Sequence, residues 1–77
     1  MLNLATGFGK MYVANALSNT VSVIDGDKDI KIRDISVGKN PIHIVLDYIN
    51  NKIYVSNRDN NTVSVVNGSN YQTHTIS

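Results

Sequence analysis

Residues 11–26 read MYVANALSNTVSVIDG, and residues 53–68 read IYVSNRDNNTVSVVNG. The stretches lie 42 positions apart and agree at nine of 16 sites: Tyr12/Tyr54, Val13/Val55, Asn15/Asn57, Asn19/Asn61, Thr20/Thr62, Val21/Val63, Ser22/Ser64, Val23/Val65 and Gly26/Gly68. Met11/Ile53, Ala14/Ser56, Ile24/Val66 and Asp25/Asn67 are conservative pairs. Working outward, the same offset sets Leu2-Asn3-Leu4 against Ile44-Val45-Leu46, which places Met1 opposite His43. In the other direction Asp29–Ser36 matches Tyr71–Ser77 loosely, with one residue of gap. Nearly all of the 77-residue chain is therefore two copies of one unit.

Each unit divides into four short strands. In the second they fall at about 42–47, 52–57, 62–67 and 71–76, and in the first at about 1–5, 10–15, 20–25 and 30–36. The connections Tyr48–Asn51, Arg58–Asn61 and Gly68–Asn70 are of hairpin length and rich in Asn, Gly and Ser. Composition agrees. Ile and Val number nine each, which suits strands, and the 11 Asn suit the turns between them. Ala is only three, and no window carries the apolar stripe of a helix. The middle strands are apolar on both pleat faces, as with Met11 and Val13 on one face and Tyr12 and Ala14 on the other, so each sheet wants cover on both sides. The fold class expected is all-β, two four-stranded antiparallel sheets in tandem. A period near 42 built of short strands is that of β-propeller blades.

The residues YVAN…SNTVSVIDG and YVSN…NNTVSVVNG resemble the YVTN family of β-propeller repeats, and Val37-Gly38-Lys39-Asn40-Pro41 resembles that family's VG-x-x-P link between blades. The match covers both units. The resemblance implies a partial propeller over 1–77, with blade one at about 1–37 and blade two at about 38–77. It also implies a cell-surface or extracellular setting, and a family whose rings are usually seven-bladed. Two blades do not close a ring. The expected partners are therefore further copies of the chain or the remaining blades of a longer propeller. An intact ring of two-blade chains takes an even number, six blades from three copies or eight from four.

Bulk properties remove other classes. Seven Lys plus Arg against six Asp give a net charge of +1, no electrostatic case for nucleic acid or an anionic membrane. With no Cys there is neither a disulfide nor a thiolate zinc site. Apolar runs reach only about four residues, too short for a membrane-spanning helix, and Met1–Ala5 has no signal-peptide character. No cofactor is expected.

In a propeller the inter-blade link and the loops Ala16–Asn19 and Arg58–Asn61 share one mouth. Lys39, Asn40, His43, Arg58, Asp59 and Asn60 are accordingly the binding-face candidates, for a protein or small ligand. His43 near neutrality suits a base or metal ligand, but a lone histidine is more often a polar lining residue. His74, in the last strand, reads as surface. Asn15, Asn57, Asn19-Thr20 and Asn61-Thr62 recur at the same register and read as scaffold, bonding local backbone at strand ends. Pro41 fixes the link at the start of a strand.

Asp25, Asp27 and Asp29 alternate like the opening of a calcium loop, but Ile30 and Ser36 stand where that loop needs Gly and Glu, so a solvated turn is the stronger reading. Gly7-Phe8-Gly9 lacks the third glycine of a dinucleotide loop and reads as a hairpin turn. Ser56, His43 and Asp59 supply the residue types of a hydrolytic triad without supporting spacing. A non-enzymatic propeller module for scaffolding, self-assembly or binding is expected. The alternative is part of a propeller hydrolase, lyase or oxidoreductase with its catalytic residues in other blades.

Overall fold

The computed structural model describes residues 2–77, with side chains from Leu4 onward. It is all-β: β1 (Leu2–Gly7), β2 (Lys10–Asn15), β3 (Thr20–Asp25) and β4 (Ile30–Ser36) form one sheet, and β5 (Pro41–Asp47), β6 (Lys52–Asn57), β7 (Thr62–Asn67) and β8 (Thr73–Ile76) a second. Both are antiparallel and in sequence order. The middle strands fall where the repeat puts them. β1 runs on to Gly7, Pro41 opens β5, and β8 begins at Thr73 rather than residue 71.

The turns follow from local chemistry. Phe8 and Gly9 both have positive φ (55° and 72°), the two-residue turn whose twist matches a hairpin. Asn19, Asn40, Asn51 and Asn61 are also left-handed, a conformation that asparagine tolerates better than most residues.

The innermost strands depart from the 42-residue offset. In the first sheet only Phe8 and Gly9 separate the paired residues Gly7 and Lys10, whereas Tyr48–Asn51 separate Asp47 from Lys52. The longer loop slides β5 by two residues against the repeat. His43 pairs with Ser56, and the matching partner of Ala14 is Asn3. The expected equivalence of His43 with Met1 is thereby corrected to Asn3; Met1 itself lies outside the described residues. A slip of two preserves which side chains face which way.

The sheets pack face to face, β5 lying against β1 and β2. The thin dimension of 16 Å fits two layers about 10 Å apart. The core takes Tyr12, Ala14, Val21, Val23 and Ile35 from the first sheet and Ile44, Ile53, Val55 and Val66 from the second. Each buried Val or Ile contributes about 1.5–3 kcal/mol of transfer free energy.

The two units present opposite faces to this core. The first turns in its Tyr12/Val23 face, while the second turns in Ile53/Val66, which correspond in the repeat to Met11 and Ile24. Tyr54, Ser56 and Val63, counterparts of the inward Tyr12, Ala14 and Val21, lie on the outer side of the second sheet. Each sheet is thus covered on one side only.

Polar contacts lock the junction. The Tyr48 hydroxyl donates to the Thr6 carbonyl (3.0 Å), and its ring lies 5.2 Å from that of Phe8. Lys10 Nζ donates to the Tyr71 hydroxyl (2.7 Å), and the Arg33 guanidinium stands 4.9 Å from the centre of the Tyr71 ring.

Candidate functional site

At one end of the paired sheets the link between the units threads between two loops. Val37 N donates to the Asn19 carbonyl (3.0 Å), and Asn40 N to Asn19 Oδ1 (3.0 Å). On the other side Arg58 N donates to the Asn40 carbonyl (3.0 Å) and Asp59 N to that of Lys39 (3.2 Å). Asn40 Nδ2 reaches Asp59 Oδ1 at 3.4 Å, and Thr62 Oγ1 donates to Asn60 Oδ1 (2.7 Å). Lys39, Asn40, Arg58, Asp59 and Asn60 therefore share one polar end, the last three on a 3-10 turn, Arg58–Asn60. Lys39, Arg58, Asp59 and Asn60 are exposed, and Asn40 is half-buried. This arrangement offers two cationic arms, one carboxylate and two amides to solvent, a set suited to hydrogen-bonding a polar partner.

His43 does not join that group. It lies exposed on the outer face of β5, opposite Ser56. Ser56 Oγ is buried without a hydrogen-bond partner among the described residues, and Asp59 is turned to Asn40. Among the described residues Ser56 is hydrogen-bonded to neither His43 nor Asp59, so the three are not linked as a relay in this arrangement. His74 is exposed on β8.

The recurring asparagines bond side chains across the hairpin rather than local backbone. Asn57 Nδ2 donates to Thr62 Oγ1 (3.2 Å) and Ser64 Oγ (2.9 Å), and Asn15 Nδ2 to Thr20 Oγ1 (3.1 Å) and Ser22 Oγ (2.8 Å). The second cluster is buried and seats the link, for Gly38 N donates to Ser64 Oγ (3.3 Å). A Cβ on Gly38 would stand 2.7 Å from the Asn57 amide, so only glycine fits there. The first cluster is half-exposed, and Ser22 donates instead to Asp34 (2.6 Å). Hydrogen bonds from Lys31 and then Ser22 hold the Asp34 carboxyl below the usual carboxylate range.

Asp25 does not converge with Asp27 and Asp29. Its Oδ1 accepts from the backbone N–H groups of Asp27 (2.9 Å) and Lys28 (3.3 Å), closing its own turn. Asn67, the repeat counterpart, makes the same turn to Ser69 and Asn70 (2.8 and 3.3 Å), so an acceptor rather than a charge is what the position requires. Among the described residues no three His, Asp or Glu side chains are grouped as metal ligands.

Asn19, expected to bond local backbone, instead supplies the oxygen that holds the distant Asn40 N–H of the link. Tyr71, which clamps the sheets, escaped the sequence, because its repeat position is shared with Asp29, a residue of unlike type. The chain matches no family model and none of the curated proteins compared with it.

Proposed function

We propose that the chain is a β-propeller repeat module without catalytic chemistry of its own, working through blade-on-blade assembly and through the polar end carrying Lys39, Asn40, Arg58, Asp59 and Asn60. The observation that carries this is the meeting of the two units by opposite faces. Such a junction is heterologous: what one unit offers, the next accepts, and the series continues until it closes. The link resembling VG-x-x-P and the 42-residue period support the blade interpretation. The uncovered outer faces, with Leu4, Val45 and Ile76 exposed, make the isolated pair a surface that seeks cover.

Light scattering on a sizing column tests the reading. Chains of 8.5 kDa give about 25 kDa for a three-copy ring and about 34 kDa for a four-copy ring. Either mass is the expected result. A folded, monodisperse monomer at high concentration would overturn it.

A further inference from the structure

We infer that copies of this chain stack head to tail, the outer face of the second sheet in one copy seating on the outer face of the first sheet in the next, with Asp29 of the second copy set against Lys52 and His74 of the first. The inference rests on the self-assembly reading above and names the surface, the register and the charge pair.

Position by position, the outer faces repeat the internal junction. On the first sheet Leu4, Val13, Ser22, Met11 and Ile24 face outward. Strand pairing gives their counterparts as Ile44, Val55, Ser64, Ile53 and Val66, all of which face the junction inside the chain. At the innermost strands the two faces differ in exposure: Leu4 is 54% exposed and Ile44 9%. On the second sheet Tyr54, Ser56 and Val63 match the internal Tyr12, Ala14 and Val21. Ile76, opposite Val63, matches Ile35, opposite Val21; Ile76 is 49% exposed and Ile35 6%. Side chains of matching shape thus stand on both free faces, in the order that already packs within the molecule. A second copy brings the complement of each face.

The Tyr71 clamp carries the register. Tyr71 and Asp29 occupy the same repeat position with the same backbone. Their φ values are 61° and 55°, and each N–H closes the same turn, Tyr71 to the Asn67 carbonyl (2.8 Å) and Asp29 to that of Asp25 (2.9 Å). Inside the chain Tyr71 sits on Lys10 and Arg33. By repeat and by strand pairing their counterparts on the second sheet are Lys52 and His74, since Arg33 pairs with Val23 and His74 with Val65. Lys52, Val65, Gln72 and His74 line an open hollow on that outer face. It is the counterpart of the place Tyr71 covers on the first sheet. The residue a neighbouring copy brings to this hollow is Asp29, an exposed carboxylate, and the hollow offers an ammonium and an imidazole. The internal contact of cations with an aromatic phenol becomes, between copies, an ion pair. A complementary charge at this point fixes register and selects the correct face, since like charges there would oppose it.

Reciprocal charge reversal tests it, read by light scattering over a dilution series at low and high salt. Asp29→Lys and Lys52→Asp should each raise the concentration of half-dissociation about tenfold or more. The double variant should return to within about threefold of the wild type, because every interface then carries the pair reversed. Asp29→Tyr should keep the association and lose its salt dependence, recreating the internal clamp. Asp29 is exposed and Lys52 half-buried at the strand end, and circular dichroism checks that each variant is folded. A second measurement fixes the register. In an equimolar mixture of Asp29→Cys and Lys52→Cys chains, which carry no other cysteine, a short bis-maleimide should join unlike chains in preference to like ones. Single reversals that associate like wild type, a double variant no better than the singles, or equal yields of like and unlike cross-links would overturn the charge pair while leaving self-assembly standing. A monomeric wild type would overturn both and assign the faces to a different protein or to further units of a longer chain.

Discussion

Asn15 and Asn57 are the same residue in two environments, and the difference is measurable. Both tie a Thr and a Ser across a hairpin, but Asn57 is buried beneath the link whereas Asn15 is half-exposed. Asn57→Ala should cost about 1–3 kcal/mol, because it removes the amide that donates to the fully buried Ser64 hydroxyl and leaves a gap beneath the link. Asn15→Ala should cost well under half as much in dilute protein, and urea unfolding of the two variants reads the contrast. Tyr12 gives a second handle. Its hydroxyl is buried without a hydrogen-bond partner among the described residues, and burial, then the nearby Tyr71, push its pKa from 10.0 up to about 12. The folded chain holds that proton more tightly than the unfolded one. Stability is therefore intact below pH 10 and falls as pH rises from about 10 to about 12. Tyr12→Phe should equal or exceed wild-type stability at neutral pH, by up to about 1 kcal/mol, and should flatten the alkaline decline in denaturant titrations.

At the scale of strands the two sheets share a pattern yet differ in exposure, so equivalent substitutions part company. Val23 on β3 and its counterpart Val65 on β7 are both buried within the chain, whereas Ile76 on β8, the counterpart of the buried Ile35, is 49% exposed on the outer face. Val23→Asp places an unpaired charge in the junction and should abolish the cooperative thermal transition. Ile76→Asp should leave the circular dichroism of the sheets in place and lower the solution mass, since its effect falls between copies. The middle strands were legible from residues 11–26 and 53–68 because identity and alternation agreed there. The innermost strands were legible only to within two residues: Phe8-Gly9 turns the chain in two residues where Tyr48–Asn51 uses four, and a linear offset carries no record of that. The polar end was visible because the single link, Val37–Pro41, and the two loops that follow the second strand of each unit fall at one end of the strands. His43 lies apart from that end, exposed on β5 opposite Ser56. The pairing of Asp29 with Tyr71 stayed hidden because it is a likeness of backbone, not of side chain.

For the whole molecule, the decisive property is that its two sheets meet by unlike faces. The polar end of link and loops recurs once per copy, so copies in a ring would display several Lys39–Arg58 pairs around one axis, a multivalent surface for a partner that one copy would hold weakly. Unlike faces also give any unclosed string of copies a polarity, with two chemically distinct ends. A chain with one face spoiled remains competent at the other. Small amounts of the Ile76→Asp chain mixed with wild type would occupy growing ends by their sound first sheet and offer nothing beyond, acting as a one-sided stopper whose effect outruns its share of the mixture.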